Sequence, residues 1–170
     1  DSTFLYYFGL DIPDLTGVID VDNNQEYLFG DDIDLEEIIW MGPQPSIREL
    51  SLMVGVENTQ PNKALSDYLR KRNNQGQKIH IIPLYRGENM IKLANLLGIH
   101  HRETEDYVSE ELIKAIIAMR SIKDRYEIEA LEKAAEIGYE MHLTAMKMCQ
   151  PGIYERKISG MLEGIPRSHD

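Results

Sequence analysis

Hydrophobic and polar positions come in short blocks over the first hundred residues and settle into helical periodicity after that. Phe4-Leu5-Tyr6-Tyr7-Phe8 is an aromatic run halted by Gly9, a pattern that predicts a buried strand. Val18-Ile19-Asp20-Val21 and Glu26-Tyr27-Leu28-Phe29 flank Asp22-Asn23-Asn24-Gln25. Asn and Asp tolerate left-handed turn conformations, so this pair predicts a hairpin. Asp31–Glu37 reads as an acidic loop leading into Ile38-Ile39-Trp40-Met41-Gly42. Pro45-Ser46 opens a helix, with Ser46 and Glu49 spaced as a capping box and Ile47, Leu50 and Met53 on its apolar side. Val54 and Val56 suggest a short strand. Asn62–Gln75 is a helix with Ala64, Leu65, Tyr68 and Leu69 on one stripe, ended by Asn73, Asn74 and Gly76. Lys78-Ile79-His80-Ile81-Ile82-Pro83 predicts a buried strand, and Gly87–Leu97 a helix closed by Gly98.

The last third is helical. Ser109 caps a segment carrying Leu112, Ile113, Ile116 and Ile117. Asp124 and Glu127 then form a capping box for a long helix, whose stripe is Ile128, Leu131, Ala134, Ala135, Gly138, Met141, Ala145 and Met148. Pro151-Gly152 stops it, and a further helix covers roughly Tyr154–Glu163. Short strands alternating with helices imply an α/β class, a mixed sheet with helices on its faces. The domain boundary is expected near Met119–Asp124, giving units 1–119 and 123–170. Two helices cannot bury their apolar faces alone, so the second unit reads as unfinished and prone to self-association.

Composition narrows the function classes. The chain has 170 residues, 42% of them hydrophobic and 28% charged, which suits a buried core and not a disordered tail. No apolar run approaches the roughly 18 residues of a membrane span, and Asp1-Ser2-Thr3-Phe4 does not resemble a signal peptide. The net charge of −11 argues against a phosphate-backbone partner, so neither nucleic acid nor membrane is expected. The charge is uneven: residues 1–62 hold 13 acidic side chains and a single basic one, Arg48. Such a face keeps the chain soluble or favours a cationic group. The single Cys149 allows no internal disulfide, fits a reducing, cytoplasmic setting, and reads as a small buried hydrophobe after an apolar stripe.

Candidate chemistry is sparse. The histidines are His80, His100, His101, His142 and His169, and none sits in His-Glu-x-x-His. His100-His101-Arg102-Glu103-Thr104-Glu105-Asp106 is rich in ligand types but reads as a polar loop; His80 reads as a core or edge residue and His142 as packing or surface. There is no nucleophile elbow and no phosphate loop. Asp31-Asp32 and Glu36-Glu37 read as solvated pairs. Trp40, the sole tryptophan, is either core filling or an aromatic wall for an apolar group such as a proline ring.

The order of segments resembles a known family. Phe4-Leu5-Tyr6-Tyr7-Phe8-Gly9 is similar to the Phe-x-Tyr-Leu-Thr-Gly strand of the creatinase/prolidase-type N-terminal domain of Xaa-Pro aminopeptidases. Ile39-Trp40-Met41-Gly42 resembles that family's Glu-Ile-Trp-x-Gly segment. Met119-Arg120-Ser121-Ile122-Lys123-Asp124-x-x-Glu127-Ile128-Glu129 resembles its linker and helix start, and Ala134-Ala135 and Pro151-Gly152-x-x-Glu155 continue the likeness into the first helices of the pita-bread peptidase domain. Two positions depart from the pattern: Asp124-Arg125 replaces Ser-Pro, and Tyr154 replaces a capping Thr. The family domain also starts earlier, so a leading helix and strand are expected to be missing here.

The resemblance implies an α/β creatinase/prolidase-type domain over 1–119 and an incomplete metallopeptidase domain over 123–170. It implies a parent enzyme that hydrolyses the bond before proline using two divalent ions, manganese foremost, held by ligands beyond Glu163. No catalytic or metal role falls on His169, Asp170 or any other residue of this chain. The implied partners are peptides with proline at the second position and a second copy in a dimer, with Trp40 reaching the substrate pocket. A prolidase or creatinase-like hydrolase, and a non-catalytic peptide- or histone-binding module, share this domain and stay open.

Overall fold

The computed structural model describes residues 2–169. Its contacts divide the chain between Leu112 and Ile113 into two units, each described by itself.

The first unit opens with helix α1 (Ser2–Phe8), where the aromatic run predicts a strand. The helix gathers the aromatic side chains on the core side. Phe4 and Phe8 are four residues apart, which on a helix puts them on one face, and their rings stack with centroids 5.1 Å apart. Phe8 then enters a core with Leu10, Leu28, Ile47, Leu50 and Val56. Gly9 turns the chain at φ 65°, and its N–H donates to the Leu5 carbonyl at 2.8 Å.

The hairpin forms as its sequence predicts. Strands β1 (Thr16–Asp20) and β2 (Gln25–Phe29) pair antiparallel, Thr16 opposite Phe29 and Asp20 opposite Gln25. Helix α2 (Leu35–Met41) begins within what reads as the acidic loop Asp31–Glu37, of which Asp31–Asp34 stay non-helical. Helix α3 (Ile47–Met53) follows with its Ser46–Glu49 box intact, but Met53 faces solvent and Ser51 takes the buried place. Gly55 turns at φ 79°, so the next strand is β3 (Asn58–Gln60), not Val54–Val56. It pairs parallel with β2, completing a mixed three-stranded sheet in the order β1-β2-β3.

A 3-10 turn (Asn62–Ala64) leads into α4 (Leu65–Asn74), and α5 (Gly87–Leu97) ends at left-handed Gly98. Between them, Lys78–Pro83 is not a buried strand. It touches another segment in one parallel bridge, Ile81 with Val108, and His80 is exposed. The His100–Asp106 segment is a 3-10 helix (His101–Tyr107). Helix α6 (Glu110–Ser121) begins at Ser109, whose Oγ accepts from the Leu112 N–H at 3.2 Å.

The second unit is built from α7 (Arg125–Met148) packed on α8 (Glu155–Arg167). Asp124 and Glu127 cap α7 reciprocally, at 2.8 and 2.9 Å. Cys149 is exposed at the end of α7, because the helix presents its half-buried stripe elsewhere. Tyr154 precedes α8 with no side-chain cap bond, and α8 runs past Glu163 to Arg167, with Pro166 in its last turn. Gly152 turns the chain between the helices at φ 87°.

Asp20 ties the hairpin to α4. Its side chain is 4% exposed. It accepts hydrogen bonds from the Asn23 N–H (3.1 Å), Asn23 Nδ2 (2.9 Å), the Tyr68 hydroxyl (2.9 Å) and Gln77 Nε2 (3.2 Å), and Arg72 stands 3.1 Å away. Burial pushes this carboxyl up, but the bonds from Asn23, Tyr68 and Gln77 outweigh it and hold the group below its ordinary value of 3.8. Burial pushes the Tyr68 hydroxyl up to about 12, so it remains a donor.

Two outcomes follow from this packing. A side-chain carbon added at Gly17 would overlap the Phe8 ring, so Gly17→Val is expected to cost about 2 kcal/mol in urea unfolding. The folded pKa of Asp20 lies below its unfolded one, so its contribution is complete above pH 3.8 and is lost as pH falls through the folded value. Asp20→Ala should destabilise the first unit by about 3 kcal/mol at neutral pH. Asp20→Asn should remove part of the acid dependence in the same titration.

Candidate functional site

Trp40 is displayed by a short, well-capped helix. The Asp34 carboxylate accepts from the Glu37 N–H at 2.9 Å, and Glu37 accepts from the Asp34 N–H at 3.1 Å. Gly42 closes α2 with its N–H on the Ile38 carbonyl at 2.9 Å, at φ 75°. No residue of α2 is buried. Trp40 is 82% exposed, with Leu35 and Ile39 exposed nearly as much. Trp40 is therefore not core filling. Its indole is open to take an apolar ring, and Glu36, one turn earlier, supplies negative charge beside it.

The acidic residues before α2 hold this display in place, and the sequence alone did not show their role. Gly30 donates to the Gln60 carbonyl at 3.1 Å at the end of the sheet. Asp31 accepts from the Asn62 N–H (3.1 Å) and Asp32 from the Ile47 N–H (2.6 Å), the first residue of α3. Asp31 and Asp32 are thus anchors and not merely solvated charges. The available signal was an Asp that can reach a free N–H at a helix start. At α3, the Glu49 carboxylate is held below its ordinary value, first by the Ser46 backbone N–H and then by the Ser46 side chain.

The remaining candidates do not converge on a centre. His100 Nδ1 accepts from the Arg102 N–H at 3.3 Å, and the His100 and His101 rings lie 4.1 Å apart. His142 is exposed on α7, and His169 pairs with Glu140 at 3.1 Å; Asp170 lies outside the described residues. Among the described residues, no group of three or more His, Cys, Asp or Glu side chains is placed to hold a metal ion. No described helix is long and apolar enough to cross a membrane. Two open clefts flank the Ile81–Val108 bridge. One, of about 330 Å³, is mostly apolar, with Ile81, Leu84 and Met90 on its walls. The other, of about 320 Å³, carries Lys78, His80 and Asp106. Trp40 lines neither.

Comparison with known proteins gives this arrangement a context. Residues 1–82 match the family model of the aminopeptidase P N-terminal domain. A probable Xaa-Pro aminopeptidase of Aspergillus fumigatus is 26% identical over 162 residues, covering 92% of this chain and 32% of that protein. Another, from Talaromyces stipitatus, is 28% identical over 93% of this chain and 30% of its own length. The chain thus spans about a third of the length of the curated relatives it matches. Among solved structures, proline aminopeptidase P II from Yersinia pestis superposes with a TM-score of 0.74 at 23% identity, over 99% of this chain and 41% of that one. Aminopeptidase P from E. coli gives 0.72 at 20% identity, over 99% and 40%. These two likenesses concern the fold. Residues 1–82 carry an N-terminal domain of the aminopeptidase P type, and the chain resembles Xaa-Pro aminopeptidases along nearly its whole length.

Proposed function

We propose that this chain serves as the N-terminal region of a proline-specific metallo-aminopeptidase, an enzyme that releases the residue preceding proline. The observation that carries the reading is its joint likeness in sequence and fold to aminopeptidase P over 92% and 99% of its length. The curated relatives compared above are named Xaa-Pro aminopeptidases, which favours this reading over a prolidase, a creatinase-like hydrolase or a histone-binding module. On this reading residues 1–119 are the non-catalytic domain and 123–170 begin the peptidase domain. The parent acts in the cytoplasm as a dimer on peptides with proline at the second position.

The role of this region is recognition and access. A peptide bond to proline has no N–H, so the ring itself must be recognised by shape and apolar contact. Trp40 offers such a contact from a helix that no core residue covers. The two divalent ions of the parent, manganese foremost, find no group of ligands among the described residues. No step through them is assigned to this chain.

The 170-residue chain alone, purified to homogeneity, should release no amino acid from Xaa-Pro tripeptides with manganese added; turnover would refute the proposal. In a full-length enzyme carrying this segment, Trp40→Ala should raise KM for Xaa-Pro tripeptides roughly tenfold, about 1.4 kcal/mol, and leave the metal content unchanged. An unaltered KM would remove Trp40 from the substrate pocket.

A further inference from the structure

Helix α2 sets a carboxylate and an aromatic ring side by side. Glu36 and Trp40 are four residues apart, so they share one face of the helix, with Cβ atoms about 6 Å from each other. Both are exposed. Glu36 differs from the acidic residues around it. Asp31, Asp32, Asp34 and Glu37 are each tied to a backbone N–H. Glu36 takes no part in these ties, and its carboxylate has no hydrogen-bond or ion-pair partner among the described residues. No cation of the same stretch is at hand to meet it. Residues 1–62 carry 13 acidic side chains against one basic one, Arg48. The Arg48 guanidinium is engaged elsewhere, donating to the Glu57 carbonyl. Leu35 and Ile39, both exposed, border the pair with apolar surface.

We propose that Glu36 is a specificity residue beside Trp40, and that it selects peptides with lysine or arginine at the fourth position, two residues after proline. The inference rests on the reading of Trp40 as the contact for the proline ring. In an extended peptide, side chains alternate between two sides, and those two residues apart lie about 6.6 Å from each other on the same side. That matches the step of about 6 Å from Trp40 to Glu36. With proline at the second position, no residue lies two places before it. The fourth residue is therefore the one whose side chain shares the side of the proline ring, and the third points the opposite way. Charge sets the sense in which the peptide lies along α2. Toward the helix start it meets Glu36, whereas Met41–Ile47 in the other direction carry no charge. The flexible stem of a lysine or arginine can lie along Leu35 and Ile39 while its cationic head reaches the carboxylate. An acidic residue at that place would meet the negative field of the whole stretch.

The test uses a full-length enzyme carrying this segment and two amidated pentapeptides, Ala-Pro-Ala-Lys-Ala and Ala-Pro-Ala-Gln-Ala. At low salt kcat/KM should favour the lysine peptide about threefold, and about 0.5 M sodium chloride should abolish the preference. Glu36→Gln should bring the ratio to about one. Glu36→Lys should reverse the preference, favouring Ala-Pro-Ala-Glu-Ala over the lysine peptide, which a variant that had merely lost its fold would not do. Lysine moved to the third position, in Ala-Pro-Lys-Ala-Ala, should give a smaller gain than at the fourth. No preference for lysine, a preference that survives Glu36→Gln, or an equal gain at the third position would each overturn the inference. Trp40→Ala separates it from the reading beneath it. A raised KM for the glutamine peptide in that variant, with no lysine preference in the unaltered enzyme, sinks the inference alone; an unaltered KM sinks both.

Discussion

A carboxylate taken out of water at the end of a β-strand has to be matched by donors, and Asp20 is matched from three directions. Asn23 comes from its own hairpin turn, Tyr68 from α4 and Gln77 from the segment after α4, with Arg72 alongside. The Arg72 guanidinium also lies 5.0 Å over the Tyr68 ring. None of these groups could be moved without stranding charge in a buried place. Asp20 thus ties α4 and the segment after it to the hairpin. The aromatic contacts of Tyr68 with Tyr27 and Phe29, at 4.9 and 5.5 Å, line the same junction. Apolar burial supplies the bulk of the stabilisation, but it is not directional, and the polar cluster selects a single arrangement of the parts.

The same economy of acidic groups governs the region around Trp40. Asp31, Asp32, Asp34 and Glu37 look from composition like a solvated patch, yet each accepts a backbone N–H. Their negative charges sit where helix starts leave donors unpaired. The consequence is functional. A helix of 7 residues that buries none of its own side chains cannot be held by packing, so it is held by caps and ties, which leaves Trp40, Leu35 and Ile39 free for contact.

The two units show opposite solutions to a shared problem. The first closes a core around Phe8, Leu28 and Leu50. In the second, α7 and α8 cover one face of each other, and an apolar seam on α7 stays in water. Exposed apolar positions at regular helical spacing indicate contact with something else.

Much of the architecture was legible in local chemistry. The capping boxes at Ser46 and Asp124, the glycine stop at Gly98 and the Asn/Asp turn of the hairpin depend on neighbours within a few residues, so the sequence states them directly. The likeness to Xaa-Pro aminopeptidases was readable because motif order survives where overall identity is low. Trp40 could be singled out, but its exposure could not, since an apolar segment looks the same whether covered or not. The failures have one cause. The aromatic run at Phe4–Phe8 and the Ile-rich run at Ile79–Ile82 have high strand propensity, and propensity is a weak term next to long-range pairing. The first run forms a helix that places Phe8 in the core among distant residues, with Phe4 stacked on it, and the lack of adjoining ladders left the second with a single bridge. Which acidic group meets which distant N–H, and which face of α7 meets α8, are set by atoms brought close only when the chain folds.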